Sequence, residues 1–343
     1  MCTMCRGDIY SLSLRSFGGH RVTTSFLDID FLRVECMIRE CCVELGLRGK
    51  VQYACIYRSH EYFDDRFVFK VSVGDNAFAL KVDYASPSTG RLQREYDTLI
   101  ALNAYFDPKS KIAVPKPIYY SPSESFFAMT YVSGETATTA IRNSKRANGK
   151  GQVFRQAGEW LNHLHRYQGS EEIKLWPNWM AEAINAAVGK QAVADPSDIG
   201  RMSDQLRIQL QSMTGRPGLK VFSHGDYHAS NIILKKEVCF GFDLTEVTNK
   251  LAVYDIVDFL KSDIYWTEPT HEIDCSGVSK QCKTLFFGGY RLPVDTEVLD
   301  LCIRGRLLID WLNISEERYQ KSAFQRDKFD RLKARLDIAF SGS

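Results

Sequence analysis

Ser223-His224-Gly225-Asp226-Tyr227-His228-Ala229-Ser230-Asn231 is a polar run in the second half of the chain, and Gly241-Phe242-Asp243 follows it closely. The segments 220–222, 232–234 and 238–242 flank the run and are apolar, with the composition of short strands. A polar run between apolar strands is typical of a functional loop on a rigid scaffold. We therefore expect the chemistry of this protein in residues 223–243.

Three side chains of this segment carry oxygen ligands at the predicted strand ends. They are Asp226, Asn231 five positions later, and Asp243 twelve positions after that. Carboxylate and amide oxygens suit Mg²⁺ that is carried with substrate phosphates, because Mg²⁺ keeps several waters and needs few protein ligands. The pattern indicates Asn231 and Asp243 as metal ligands and leaves Asp226 to meet an acceptor hydroxyl.

The rest of the chain changes from strand-like to helical patterning at Ser133-Gly134. Before that point, β-branched and aromatic residues predict strands, Gly74-Asp75-Asn76 predicts a hairpin turn, and one helix interrupts them. After it, apolar residues recur at helical spacing. The predicted strands are 51–57, 62–73, 77–82, 118–120 and 126–132, and the predicted helices are 91–105, 154–167, 180–193, 201–213 and 324–340.

The spacing of His224-Gly225-Asp226, Asn231 and Asp243 resembles that of the aminoglycoside phosphotransferase and choline kinase family, which has a protein-kinase-like fold. Other segments match the family in the same order and extend the resemblance over about residues 50–265. They resemble the strand with the phosphate-binding lysine, the helix with its partner glutamate, the connecting strand, the helix that ends in Leu-His, and the helix start after the metal site. These segments are 78–82, 92–97, 127–134, 158–165 and 253–255.

The resemblance implies an α+β, two-lobe fold with a small antiparallel-sheet N-lobe and a larger, mainly helical C-lobe. Residues 1–49 lie outside the resemblance, and the apolar spacing between Leu27 and Leu45 predicts that they form a helical N-terminal extension. Residues 50–133 would form the nucleotide-binding N-lobe. Residues 134–343 would form the helical C-lobe with the catalytic loop and the acceptor site.

For the catalytic loop, the resemblance implies a kinase that moves the γ-phosphate of ATP to a hydroxyl group of a small molecule. Asp226 would orient the acceptor hydroxyl and take its proton, while Asn231 and Asp243 would hold Mg²⁺. Phosphoryl transfer depends on positioning and charge neutralisation more than on covalent help, so these groups suffice.

For the nucleotide, the resemblance implies that Lys81, steadied by Glu95, holds the α- and β-phosphates. Thr130 and Val132 would present backbone groups to adenine. The turn that would cover the phosphates, residues 58–61, contains no glycine. Ser59 in that turn could contribute its hydroxyl instead.

Three further polar residues fit structural roles better than catalytic ones. Asp255 is expected to brace the loop or cap a helix, His224 to brace the loop by hydrogen bonds, and His165 to be a satisfied core histidine. His224 and His228, four apart with Asp226 between them, also suggest a zinc hydrolase. Ligands four apart share a face only on a helix, and Gly225 argues for a loop.

The composition narrows the functional classes. The 343 residues carry 44 basic and 42 acidic side chains, a net charge of +2 that gives no electrostatic reason to expect nucleic acid as the main partner. No apolar run is long enough for a membrane span, and the N-terminus lacks a secretory apolar region. Ten scattered cysteines fit a cytoplasmic protein with free thiols, and Cys2-x-x-Cys5 lacks a second pair for zinc.

The sequence leaves the acceptor open. Residues 251–275 hold six carboxylates and one cation, Lys261, for a net charge of −5, which favours an amine-bearing acceptor such as an aminoglycoside or amino alcohol. A solvated helix-and-loop face explains the same charges equally well. A sugar, a lipid head group or a protein are other acceptors, and a pseudokinase that binds nucleotide as an interaction module is the non-enzymatic alternative. The oligomeric state is open too.

Overall fold

The computed structural model describes residues 29–59, 61–143, 147–265 and 272–341. They form two compact units. The first contains the described residues up to Ala104 together with Val114–Ser133, and the second contains Tyr105–Ala113 and the described residues from Gly134 onward.

The helices and strands of the described ranges are numbered separately in chain order. The helices are α1 (Phe31–Glu44), α2 (Ser86–Thr89), α3 (Arg91–Tyr105), α4 (Ala137–Asn143), α5 (Ala147–Arg166), α6 (Asn178–Val188), α7 (Pro196–Met213), α8 (Ala252–Leu260), α9 (Lys280–Gly289), α10 (Thr296–Leu312), α11 (Glu316–Lys321) and α12 (Ala323–Ala339). The strands are β1 (Val51–Arg58), β2 (Arg66–Val73), β3 (Asn76–Asp83), β4 (Ile112–Ala113), β5 (Pro117–Tyr120), β6 (Phe126–Thr130), β7 (Glu135–Thr136), β8 (Ser170–Lys174), β9 (Pro217–Ser223), β10 (Ile232–Lys235), β11 (Val238–Gly241) and β12 (Thr248–Leu251).

The first unit is built on a five-stranded antiparallel sheet in the order β1-β2-β3-β6-β5. Phe78, Leu80 and Val82 of β3 point to one face, where their side chains join a buried core with residues of α1. Side chains alternate along a strand, so Lys81 points to the opposite face. That face carries α3, whose Tyr96 ring lies 5.6 Å from the ring of Phe127.

The predicted strand 62–73 is shorter in the structure. Residues 62–65 form a turn, in which Asp65 and Arg66 donate backbone hydrogen bonds to the Tyr62 oxygen, and β2 begins only at Arg66. The aromatic residues Tyr62 and Phe63 are of the kind that favours strands, which explains the prediction. Their rings instead pack against the guanidinium groups of Arg66 and Arg58.

The second unit contains two small sheets, β4-β11-β10-β7 and β12-β9-β8, with helices around an aromatic core. In that core the ring of Phe259 in α8 lies 5.5 Å from Phe154 and 5.7 Å from Phe286. The sequence did not predict β8 or β12. Ser170–Lys174 has one apolar residue, and its strand form comes from pairing with β9. The predicted helix 180–193 ends earlier, at Val188 before Gly189.

Two observations complete the fold. Within the described ranges, no helix combines the length and apolar character that crossing a bilayer requires. The cysteines in those ranges are free thiols, and several of them are buried. Cys2 and Cys5 lie outside the described residues.

Candidate active site

Asp255 holds the start of the polar loop. Its carboxylate accepts hydrogen bonds from the backbone nitrogens of His224 (2.7 Å) and Gly225 (3.0 Å), from the Ser223 hydroxyl (2.9 Å) and from His165 Nε2 (3.0 Å). Burial opposes ionisation, but the hydrogen bonds from His165 and His224 lower the pKa of Asp255. The loop is therefore anchored on a buried, ionised carboxylate, as the sequence predicted.

The His224 ring braces the loop from inside. Its Nε2 lies 3.1 Å from the oxygen of Phe242, and its Nδ1 accepts the backbone N–H of Asp226 at 3.4 Å. Burial lowers the pKa of His224, so the ring is neutral with the proton on Nε2. Both ring nitrogens are engaged, and the described residues contain no cluster of three or more His, Cys, Asp or Glu that could hold a metal. This arrangement argues against the zinc hydrolase interpretation.

Gly225 is required by the shape of the loop. Its φ of +83° lies in the left-handed region, and an added Cβ would come within 2.1 Å of the Glu246 oxygen. A side chain at this position would move the loop that carries Asp226. The glycine of the His-Gly-Asp motif thus has a steric reason in this chain.

The Asp226 carboxylate is half exposed at 50%, and its Oδ2 lies 3.4 Å from His228 Nε2. His228 Nδ1 accepts the backbone N–H of Ser230 at 3.2 Å, so Nε2 is the ring nitrogen whose N–H faces Asp226. This hydrogen bond lowers the pKa of Asp226, against the opposing effect of burial. Asp226 is therefore an ionised, accessible carboxylate at neutral pH.

The β10–β11 hairpin brings Asn231 and Asp243 together. Ile232 pairs with Gly241, and one step further out the backbone N–H of Phe242 donates to the Asn231 oxygen at 3.1 Å. Asn231 and Asp243 therefore leave the same end of the hairpin.

The local geometry of both residues suits a metal. Asn231 Nδ2 donates to the Asp226 backbone oxygen at 3.0 Å, so its amide oxygen is the atom available as a ligand. Asp243 has left-handed backbone angles (φ 61°, ψ 59°), which are strained for a residue with a Cβ and concentrate at functional sites. One amide oxygen and one carboxylate are a donor set that fits Mg²⁺.

Tyr227 and Trp160 form an aromatic floor beneath the loop. Their rings stack at 5.5 Å, the Tyr227 hydroxyl donates to the Ala157 oxygen at 2.8 Å, and both side chains are buried. Gly241 lies against this floor, since an added Cβ would be 2.1 Å from the Trp160 ring. The stacked rings therefore fix the position of the loop relative to the β10–β11 hairpin.

Lys81 and Glu95 form a buried ion pair in the first unit. Lys81 Nζ lies 2.7 Å from each carboxylate oxygen of Glu95, and the side chains are 11% and 1% exposed. Lys81 belongs to β3 opposite Phe127, and Glu95 belongs to α3. The family resemblance paired these two residues, which lie fourteen positions apart in the sequence, and the structure brings them into contact.

The other predicted nucleotide contacts, Thr130, Val132 and Ser59, differ in whether their polar groups already have hydrogen-bond partners. The Thr130 backbone N–H already donates to the Lys116 oxygen at 2.9 Å, so it belongs to the sheet. Val132 follows the end of β6, and no hydrogen bond to its backbone exists within the described residues, which leaves it open for a ligand. The Ser59 hydroxyl oxygen accepts the Tyr62 N–H at 3.1 Å and is buried, so it stabilises the turn first.

The acidic segment 251–275 does not form a negative wall in its described part. Asp255 anchors the loop, and the other three aspartates in that part are paired with cations: Asp258 with Arg306 (2.7 Å) and Lys261 (3.1 Å), Asp263 with Arg335 (3.1 Å), and Asp274 with Lys283 (2.5 Å). Glu268 lies outside the described residues, and Glu272 is an exposed carboxylate that remains. The described part of the segment therefore gives little electrostatic preference for an amine-bearing acceptor.

Sequence reasoning missed two groups at the site. His228 was considered only as a zinc ligand, although its position before the short helix Ala229–Asn231 is that of an N-cap, which signals a ring nitrogen turned to the backbone. Arg306 belongs to α10, far along the chain from the loop, and no local pattern points to it.

The sequence is similar to a known protein family. The model of the phosphotransferase enzyme family matches residues 61–274, well over half of the chain. No curated protein sequence matches.

Several solved structures share the fold over most of their length. A spectinomycin phosphotransferase in complex with ADP and spectinomycin has a TM-score of 0.56 at 13% identity, covering 90% of this chain and 97% of that one. An amicoumacin kinase in complex with AMP-PNP and Ca²⁺ has 0.57 at 15%, covering 90% and 93%. A choline/ethanolamine kinase family protein from Mesorhizobium loti has 0.54 at 13%, covering 90% and 98%. The predicted resemblance and α+β kinase-like fold are confirmed.

Proposed function

Because the chain belongs to the phosphotransferase enzyme family, we propose that it moves the γ-phosphate of ATP to a hydroxyl group of a small molecule in a Mg²⁺-dependent reaction. One observation carries most of the proposal: the half-exposed carboxylate of Asp226 lies on a loop whose backbone is fixed by the buried Asp255. A carboxylate that is both fixed and accessible is what an acceptor hydroxyl requires.

Asp226 is the proposed catalytic residue. Its ionised oxygen accepts a hydrogen bond from the acceptor hydroxyl and takes the proton as the oxygen–phosphorus bond forms and the bond to the β-phosphate oxygen breaks. His228 directs the Asp226 carboxylate by donating to Oδ2, and His224 holds the Asp226 backbone. The proposed base thus has both its position and its ionisation set by neighbours.

Asn231 and Asp243 are the proposed metal ligands. When bound together with the nucleotide, Mg²⁺ would neutralise charge on the phosphate oxygens. The amide of Asn231 is held through its nitrogen, and the Asp243 carboxylate accepts a hydrogen bond from the Thr245 hydroxyl at 3.2 Å. These contacts fix the two side chains in the absence of phosphate.

Lys81 is the proposed ligand of the α- and β-phosphates, and residues 50–133 the nucleotide-binding part of the chain. Glu95 holds the buried ammonium by an ion pair on the face of the sheet opposite the hydrophobic core. Val132 is the stronger candidate for adenine, because the Thr130 N–H is used within the sheet. We propose residues 134–343 as the part that carries the catalytic loop and the acceptor site.

The acceptor class is a separate part of the proposal. Spectinomycin is bound in one structural relative, which supports an amine-bearing hydroxyl compound among the candidates. A sugar, a lipid head group and a protein are the alternatives. The pairing of the acidic segment 251–275 removes the electrostatic preference for an amine.

The test is an ATP-consumption screen with Mg²⁺ against hydroxylated amines, sugars, nucleosides and lipid head groups. We expect turnover that requires both Mg²⁺ and an acceptor, with the phosphate recovered on the acceptor. Nucleotide binding without turnover across the screen would favour the pseudokinase interpretation instead. Metal-independent transfer would remove Asn231 and Asp243 from the proposal.

A further inference from the structure

One face of α8 connects the catalytic loop to a group of cations. Asp255 and Asp258 lie three residues apart, so their side chains are neighbours along that face. Asp255 holds the loop, and Asp258 Oδ1 accepts hydrogen bonds from Arg306 Nε (3.2 Å) and Nη2 (2.7 Å). The Arg306 guanidinium therefore lies about one helical turn from the anchor of the loop.

Arg306 is also within electrostatic range of the catalytic carboxylate. Burial opposes its charge, whereas the carboxylates of Asp258, Asp310 and Asp226 raise the pKa of Arg306. The guanidinium remains 31% exposed despite its contact with Asp258. It is thus held in place with part of its donor surface open.

The cations continue away from the loop. Lys261 Nζ lies 3.1 Å from Asp258 and 3.2 Å from Asp310, and Lys328 of α12 comes next. We call Arg306, Lys261 and Lys328 the cationic row. Arg306 and Lys261 each contact at least one carboxylate, Asp258 or Asp310, whereas no ion pair of Lys328 exists among the described residues.

Lys328 is the cation without a partner. Across the ranges that the structure describes, its ammonium makes no hydrogen bond and no ion pair. Burial lowers the pKa of Lys328, and the charges of Lys261 and Arg318 add to this effect against the carboxylate of Asp310. The side chain is only partly buried, so an ammonium with no acceptor in the protein is available to an anionic ligand.

An aromatic pair lies beside the row. Trp179 Nε1 donates to the Tyr254 hydroxyl at 2.9 Å, the two rings meet edge to face at 5.4 Å, and the Arg306 guanidinium lies 5.9 Å from the Trp179 ring. Both residues are only partly buried, and such a ring can support the carbon skeleton of a hydroxylated ligand.

We propose that the cationic row is an anion subsite for the acceptor, so that the acceptor carries a phosphate or carboxylate group in addition to its hydroxyl. This inference rests on the proposed function, because it assigns a substrate class to the same site. In a purely structural network each cation would contact a carboxylate, as Arg306 and Lys261 do, whereas Lys328 contacts none within the described residues. Charge-assisted hydrogen bonds from Arg and Lys are the strongest available to bind such an anion.

The experiment compares acceptors that differ only in the anionic group. Glucose is tested against glucose 6-phosphate, and ethanolamine against serine, in the Mg²⁺-ATP turnover assay with the full chain. We expect the anionic member of at least one pair to have the higher kcat/KM, by about tenfold or more. The first pair reports on phosphate and the second on carboxylate. Faster turnover of the neutral or amine member in both pairs would overturn the inference.

A matched pair of variants localises the effect. Lys328→Met keeps the aliphatic side chain and removes the charge, while Lys321→Met does the same at an exposed lysine whose ion pair with Glu317 is on the surface. We expect Lys328→Met to lower kcat/KM for the anionic acceptor about tenfold with an unchanged KM for ATP. Equal behaviour of the two variants would contradict the subsite.

Binding separates failure of this inference from failure of the proposed function. If no acceptor supports turnover, calorimetry with glucose 6-phosphate is run on the wild type, Lys328→Met and Lys81→Met. Binding that weakens in Lys328→Met and persists in Lys81→Met supports the subsite even though transfer fails. Binding that is undetectable, or that depends only on Lys81, overturns it.

Discussion

Asp255 is 1% exposed and accepts four hydrogen bonds, whereas the Asp226 carboxylate is 50% exposed and its neighbours His228 and Asn231 both lie 3.4 Å away. Both carboxylates belong to the same loop assembly. The buried one fixes the backbone, and the exposed one is left with capacity for a ligand. The buried Asp255 thus positions the loop, and the exposed Asp226 is the carboxylate that we propose to react.

The first unit also contains a buried carboxylate that holds a more exposed polar group. Glu95 is 1% exposed and holds the Lys81 ammonium, which is 11% exposed. Glu95, however, fixes a side chain, while Asp255 fixes main-chain amides. We call Glu95 and Asp255 the two holders. Removal of the two holders should therefore have different consequences.

The largest effect is expected from Asp255→Ala. This change leaves two backbone N–H groups, the Ser223 hydroxyl and His165 without their acceptor, and loss of one partner in a buried charged network typically costs about 3–5 kcal/mol. Urea unfolding should show this loss in the free energy of unfolding. Asp327→Ala, at an exposed ion pair with Arg331, is the control and should change it by less than about 0.5 kcal/mol. Equal values for the two variants would show that Asp255 does not anchor the loop.

Glu95→Gln should sharpen the contrast by affecting binding more than stability. The amide still accepts a hydrogen bond from Lys81, so we expect a loss of unfolding free energy of only about 1–2 kcal/mol. Without the opposite charge the ammonium is less well positioned, and the KM for ATP should rise about tenfold. Steady-state kinetics and urea unfolding on one preparation test both parts. A stability loss as large as that of Asp255→Ala would erase the distinction between the two holders.

A smaller effect is expected from pH. Burial lowers the pKa of His224, so the unfolded chain binds the proton more readily than the folded one. Above the ordinary histidine pKa of about 6.5, His224 does not change the free energy of unfolding. As the pH falls below that value, protonation of the unfolded chain lowers the free energy of unfolding. The pKa of His163 is also lowered by burial and adds to the same trend. Unfolding measured from pH 8 to pH 5 should show a shallower decline in His224→Gln, and identical slopes would contradict this role.

The smallest effect is expected from His228→Asn. The Asn oxygen can replace Nδ1 as the cap of the Ser230 N–H, but the donor to Asp226 is lost. Stability should stay within about 0.5 kcal/mol, while kcat should fall severalfold. Since the hydrogen bond from His228 lowers the pKa of Asp226, the acid limb of the kcat–pH profile should move to higher pH. An unchanged profile would show that His228 serves the cap alone.

The sequence predicted those parts that local patterns determine. The alternation in 77–82, the Gly74-Asp75 turn and the polar run 223–231 each carry their own signal, and the predicted antiparallel sheet and hairpin turn are observed. Lys81 and Glu95 were paired through the resemblance. Their contact confirms the geometry but leaves the phosphate role a prediction.

The rest depends on tertiary contacts that no local pattern encodes. Ser170–Lys174 becomes a strand because β9 offers an edge, and residues 62–65 turn because their aromatic rings pack on arginine side chains. The charges of 251–275 suggested a negative surface, yet their partners Arg306, Lys283 and Arg335 come from later helices. Net charge along a segment does not show which charges are neutralised in the fold.

The central claim is that Asp226 acts on the acceptor and does not bind the nucleotide. The most direct test is Asp226→Asn, which keeps the shape and hydrogen-bonding reach but removes the proton acceptor. ATP titration is run beside single-turnover transfer to whichever acceptor the screen identifies. We predict that ATP affinity stays within a few-fold while transfer slows by about 10²–10⁴-fold, roughly 3–5 kcal/mol of barrier. Collapse of ATP affinity with transfer per bound nucleotide retained would contradict the account.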